Sequence, residues 1–234
     1  MLRIHVISQC KVAWTKICRP KELGGLGVVD LERFGRALRL RWPWHAWRSP
    51  DKPWVGMELA CDATDMALFH ALTIVQVGDG RTADFWCSSW LQGTAPRNVA
   101  PSLFRDVRPR RRSIRAALMA DAWIEDIRDH IQPAHLGEFV RLWRLVHTVQ
   151  LTDGPDLITW KASPDGVYSA RSAYLAQFAG STQSDLGPIV WEPWATPRIK
   201  LFGWLLLQRR VYTADRLQRR GWPNSYLFGS VVRI

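Results

Sequence analysis

The chain has few cysteines, and none of them are paired. Cys10, Cys18, Cys61 and Cys87 stand without a C-x-x-C spacing; no cysteine follows Cys87 and no histidine follows His147. That distribution is neither a zinc-ligand set nor a disulfide framework. It reads as reduced intracellular thiols, some of them in the core. No Asp-Asp pair occurs, so the adjacent carboxylates that commonly hold two catalytic cations are missing. There is no P-loop, no serine-nucleophile motif and no H-E-x-x-H. The aspartates at 121, 126 and 129 are mixed with Glu125 and Arg128 and read as a solvated helix face. No apolar run approaches the roughly 20 residues of a membrane span. The longest, around Phe202 to Leu207, is interrupted by Gly203. Met1 to Cys10 lacks the apolar stretch and cleavage site of a signal peptide.

What is present is tryptophan and positive charge. The 234 residues are 47% hydrophobic, enough for a packed core in one large domain or two small ones, and they include 14 tryptophans. Trp123, Trp143 and Trp204 sit at helical periods and read as core anchors. The Trp42, Trp44 and Trp47 cluster reads instead as an interface whose partner lies outside the chain. Net charge is +11, distributed in islands. Residues 1–50 carry +7, residues 101–150 +3 and residues 201–234 +5, while residues 51–100 carry −3 and residues 151–200 carry −1. A polyanion partner and a merely solvated basic surface both account for such islands.

Local signals give an α+β reading, mainly helical with two short β-hairpins in an incomplete fold. Asp30 can cap a helix from Leu31 towards Trp42, apolar at Leu31, Phe34, Leu38 and Trp42 and ended by Pro43. Ile74 to Val77, the Asp79-Gly80 turn and Arg81 to Trp86 predict one hairpin. The Gly78-x-Gly80 spacing has no third glycine and reads as that turn, not as a phosphate cradle. Asp156 to Lys161, the Asp165-Gly166 turn and Val167 to Ser169 predict the second. Between them, one helix carries Trp123, Ile124, Ile127 and Ile131, and another carries Leu136, Phe139, Val140, Trp143 and Val146. Ser169 or Ser172 opens a short helix through Tyr174, and Gly180 to Pro188 reads as a flexible loop. Pro197 suits the first turn of a helix to Gln208; Thr213 caps a second from Ala214 to Arg220, stopped by Gly221.

Four blocks stand in order along the chain: W-x-K-x-C-x-P-K-x-x-G-G-L-G-V-x-D-L from Trp14 to Leu31; Gly78, Gly80, Phe85, Trp86 and Trp90; Trp160, Gly166 and the Y-S-x-x-S-A-Y of Tyr168 to Tyr174; and the stretch from Trp191 through Pro197, Phe202, Trp204 and Leu217 to Gly221. Together they resemble the C-terminal region of plant LINE-type (non-LTR) retrotransposon reverse transcriptases, including their zinc-binding domain. The resemblance implies a post-polymerase connection over residues 1–60, a hairpin and helical linker over 61–150, and a truncated zinc-binding domain over 151–234. The Cys/His ligands of that family's metal site should follow Gly221, where this chain reads Trp222 to Ile234, so no zinc is expected. A retrotransposon-derived fragment is implied, nuclear, without polymerase or other enzymatic activity, small-molecule substrate or membrane association. Its residual activity would be sequence-tolerant binding of RNA or DNA through Arg110, Arg111, Arg112, Lys200, Arg209, Arg210, Arg216, Arg219 and Arg220. The alternative is an inactive pseudogene product or a protein-interaction remnant.

Overall fold

A computed structural model describes residues 12–58, 60–108, 111–127, 133–213, 217 and 221. The described elements are α1 (Trp14–Ile17), α2 (Leu31–Arg39), α3 (Arg41–Arg48), α4 (Ala63–Ala71), β1 (Thr73–Gln76), α5 (Pro96–Val99), α6 (Pro101–Asp106), α7 (Ile114–Leu118), α8 (Leu136–Val146), β2 (Leu157–Trp160), α9 (Ala170–Ala176), α10 (Leu186–Trp191) and α11 (Pro197–Leu207). The α+β class, mainly helical, is observed. The chain divides into two compact units, one of residues 31–179 and one of residues 1–30 with 180–234.

In the first of these units β1 pairs antiparallel with β2, Thr73 opposite Trp160 and Val75 opposite Ile158. Both pairs are buried, whereas Ile74, Gln76, Leu157 and Thr159 face outward, as a period of two requires. The two expected hairpins are therefore replaced by one sheet made from their first strands. Beyond β1 the chain turns at Asp79, whose Oδ1 accepts from the Arg81 amide at 3.0 Å, but it does not run back along β1. It pairs with residues 112–115 instead: Phe85 donates to the Arg112 carbonyl at 2.8 Å and Ile114 to Ala83 at 3.0 Å. The second turn keeps one closing bond, from the Trp160 amide to the Gly166 carbonyl at 2.8 Å.

Two aromatic groups fill the core of this unit. Trp44 packs edge-on to Trp160 at 6.1 Å between centroids, and Trp160 meets Tyr168 at 5.0 Å. Phe85, Trp86, Trp123, Phe139 and Trp143 form the other, with Phe85 and Trp123 stacked at 5.8 Å. Burying each such ring stabilises by about 2–3 kcal/mol, plus about 1 kcal/mol per well-oriented pair. The tryptophans expected to lack partners have them: Trp44 is buried, Trp47 donates its indole N–H to the Asp156 carbonyl at 3.3 Å, and Trp42 packs on Trp54. Pro43 does not end a helix but sits in the first turn of α3, where no intrahelical amide is needed.

The periodicity of α2 also misleads. Its apolar stripe is the outward one, with Leu31 76% exposed, while Ala37 is buried. The arginines turn inward because Asp65, fully buried at the third position of α4, accepts from Arg39 Nε at 2.6 Å and Arg36 Nε at 3.2 Å. The same carboxylate closes a capping box with Asp62. α8 forms where expected, but of its expected apolar face Leu136 and Val140 are exposed, while Leu142 is buried with Val146; α9 is opened by a Ser169/Ser172 capping box. The expected helix over Trp123 to Ile131 is absent from its described part: residues 122–126 are turns, and Ile127 bridges Val107.

The second unit is built around Trp204, 1% exposed, with Val12 and Val190. The Trp204 indole N–H donates to the Gly24 carbonyl at 2.9 Å. Gly24 has φ +78°, and a Cβ there would stand 2.5 Å from Ser184 Oγ; one on Gly25 would stand 2.0 Å from the Arg19 carbonyl oxygen. The Gly-Gly step is thus fixed by close backbone approach. The loop expected over 180–188 gives way to α10 from Leu186.

Candidate nucleic-acid interface

Pro197 places α11 as its composition predicts, and the helix ends in a two-bond C-cap. The Arg209 amide donates to Leu206 and the Arg210 amide to Leu205, both at 2.8 Å. Arg209 occupies the left-handed position usually given to glycine, with φ +54°. Both side chains are exposed, and neither has a partner among the described residues. Lys200 is employed differently: its Nζ donates to the Trp191 carbonyl at 2.7 Å, tying α11 to the end of α10. Of the following helix, the Leu217 amide donates to Thr213 at 3.0 Å and Gly221 has φ +74°. Arg216, Arg219 and Arg220 lie outside the described residues, as does Arg110.

The arginine run of the other unit is partly consumed by its own fold. Arg112 Nη2 lies 2.6 Å from Asp126 Oδ1, an ion pair angled away from ideal hydrogen-bond geometry. Asp126, expected on a solvated face, is fully buried. Burial pushes its carboxyl up, against the pull of Arg112 and the Trp86 indole. Arg111 remains exposed. Burial, then the charges of Arg97 and Arg111, lower His70 to about 4. Cys87 is pushed up to about 11 by burial and by Asp84, so it is a protonated thiol at neutral pH.

The Gly78-x-Gly80 loop does form an anion-receiving ring of amides, but the chain fills it. Asp156 Oδ1 accepts from Gly78 and Gly80 at 2.8 and 2.9 Å, and Oδ2 from Thr82 and Ala83, both at 3.0 Å. Such amide nests bind phosphates when open; here the buried Asp156 carboxylate occupies it. Sequence reading missed Asp156 because its partners lie more than 70 positions away.

Residues 168–229 match the family described as zinc-binding in reverse transcriptase. The chain is also 24% identical over 253 residues to an Arabidopsis thaliana protein named as a ribonuclease H protein, a match covering 91% of this chain and 38% of that protein. The chain therefore spans well under half the length of this curated relative. The two similarities indicate a retrotransposon-derived protein. No solved structure is a significant match.

These similarities change one expectation. Absence of enzymatic activity does not stand, because the relative carries the name of an enzyme family. That expectation relied on motifs missing from a chain that covers 38% of its relative, and a segment's motifs do not decide the class of the longer protein. The zinc of the matched family does not fit the residues present. Residues 168–229 contain no cysteine or histidine, and no group of three or more His, Cys, Asp or Glu is placed to hold a metal among the described residues. Protein zinc sites need about three or four such ligands in tetrahedral geometry. Among the described residues no helix is long and apolar enough to cross a membrane.

Proposed function

We propose that the chain is the post-polymerase and zinc-binding-like part of a plant LINE-type retrotransposon protein, and that it holds RNA or DNA by phosphate contacts without zinc. Its organisation would be the connection of residues 1–60, the linker of 61–150 and the zinc-binding-like region of 151–234. The observation that carries the reading is the Arg209–Arg210 pair: exposed, unpartnered among the described residues, and placed by the two backbone bonds of the α11 C-cap. Arg111 offers a further exposed cation in the other unit, and Arg110, Arg216, Arg219 and Arg220 extend the set in sequence. Arg112 and Lys200 serve mainly to hold the fold. The similarity to a reverse-transcriptase family and to a protein named as a ribonuclease H supports a nucleic-acid ligand.

The test is fluorescence anisotropy with labelled single-stranded RNA and DNA between about 50 and 200 mM salt. Single-strand binding loses about 0.7 in the slope of log K against log salt for each phosphate contact removed, so R209Q/R210Q should flatten the slope by about 1.4. Wild-type affinity independent of salt would refute the reading. A second reading, docking onto another protein segment, is favoured by Trp194 at 99% exposure, with Ile199 and Phe202 of the following helix also exposed. In that case Trp194→Ala would abolish partner binding and leave the salt slope untouched.

A further inference from the structure

In the unit of residues 1–30 and 180–234, a surface cavity of about 410 Å³ lies where α1, the Gly24 turn and the segment before α10 meet the end of α11. Its volume falls in the range of about 300–1,000 Å³ that accommodates small organic groups. Lys16 and Arg19 line it, against one carboxylate, Asp185, and Gly24, Ser184 and Gln208 complete its polar wall. Four features make this a formed site. Lys16 Nζ is held by Gln208 Oε1 at 2.7 Å, which orients the ammonium. Gly24 is pinned through its carbonyl by Trp204, and its missing Cβ lets the Ser184 hydroxyl come close. The Arg19 guanidinium has no side-chain partner among the described residues, although the Arg19 carbonyl lies against Gly25 and accepts from the Gly27 amide at 2.9 Å. Gln208 directly precedes Arg209 and Arg210, so the cavity and the arginine pair are joined by the same C-cap.

We propose that this cavity is a phosphodiester-binding subsite, with Lys16 and Arg19 as its cations and Ser184 and Gln208 as its neutral hydrogen-bonding groups. This rests on the nucleic-acid reading above and deepens it, because Lys16 and Arg19 lie outside the family-matched residues 168–229. The W-x-K-x-C-R-P-K segment would then serve recognition as well as connection. A guanidinium suits the site because its planar fork can meet two phosphate oxygens at once, while the ammonium acts as a point charge. The one lining carboxylate, Asp185, disfavours a dense polyphosphate and suits a singly charged phosphodiester.

The experiment compares wild type, K16Q/R19Q and R209Q/R210Q as full-length chains by anisotropy against a labelled single strand, with thermal unfolding as a folding control. Amide NMR of Gly24 and Ser184 is followed during titration with inorganic phosphate and with a dinucleotide. The expected result is that K16Q/R19Q weakens binding about tenfold or more at about 0.1 M salt and flattens the salt slope by about 1.4, with an unchanged unfolding midpoint. The dinucleotide should shift both amides in wild type and neither in K16Q/R19Q. If R209Q/R210Q weakens binding but K16Q/R19Q does not, the subsite is overturned and the general reading survives. If inorganic phosphate shifts the amides while strand binding is indifferent to K16Q/R19Q, the site takes small anions and the phosphodiester assignment is overturned. If wild type binds no strand at all, both fall, the general reading first.

Discussion

Asp156→Asn is the most informative single change in the larger unit, because it alters one atom's worth of chemistry at a buried hub. The carboxylate is 5% exposed and accepts four backbone amides, two on each oxygen. Asparagine keeps the shape but presents one NH₂ group where two N–H donors already point. Two charge-assisted bonds are lost, worth about 1.5–3 kcal/mol each, and two amides are left facing a donor. Allowing for relaxation, the expected cost is about 3–5 kcal/mol, or roughly 10 °C in melting temperature for a domain of this size. Urea unfolding followed by tryptophan fluorescence would measure it, since Trp86 and Trp160 lie in the same core. Hydrogen exchange supplies the local readout: the Gly78, Gly80, Thr82 and Ala83 amides should lose protection together. A cost below about 0.5 kcal/mol, or unchanged exchange at those four amides, would refute the view that Asp156 organises this loop.

Two further outcomes follow from buried ionisable groups. Arg112→Met should cost about 3–5 kcal/mol by stranding the buried Asp126 charge, and Asp126→Asn in the same chain should recover much of it; equal costs for single and double variants would refute the pairing. His70, held to about 4 in the folded state, stays neutral there while the unfolded chain takes up a proton from about pH 6.5. The unfolded state therefore binds more protons between about pH 6.5 and about 4, and stability falls as pH falls through that window by up to about 3 kcal/mol. Asp84 and Asp126 are raised and act in the opposite sense, so the comparison that isolates His70 is the difference between wild type and His70→Phe across pH.

The features legible in the sequence were those decided within one turn of chain. Pro197 at the start of α11 and the Ser169/Ser172 box of α9 both act over three or four residues. The features that were not legible depend on a distant partner. Asp79-Gly80 does make a turn, but whether the chain then returns along β1 is decided by Asp156 and by the carbonyl of Arg112. In α2 the apolar period pointed to one face, yet the buried Asp65 of α4 draws Arg36 and Arg39 inward and leaves Leu31 outside. Ion pairing overrode hydrophobic patterning there because a fully buried carboxylate left unpaired would cost several kcal/mol.

A net charge of +11 says little by itself about the candidate interface. Much of that charge is spent inside the fold: Arg36 and Arg39 on Asp65, Arg112 on Asp126, Arg33 on the Gln177 carbonyl at 2.7 Å, Lys200 on the end of α10 and Lys161 on the Ala71 carbonyl at 3.1 Å. A cation held by a buried acceptor is poorly placed to release counterions from a nucleic acid, because moving it to a phosphate would strand its partner. Among the described residues, the exposed cations without such an acceptor include Arg19, Arg111, Arg209 and Arg210, and Lys16 is oriented by Gln208. The density of arginine along the chain is therefore a poor guide to the interface. The Arg110 to Arg112 run is the densest in the sequence, yet its Arg112 holds the core together, whereas Lys16 and Arg19, which belong to no such run, share one polar cavity.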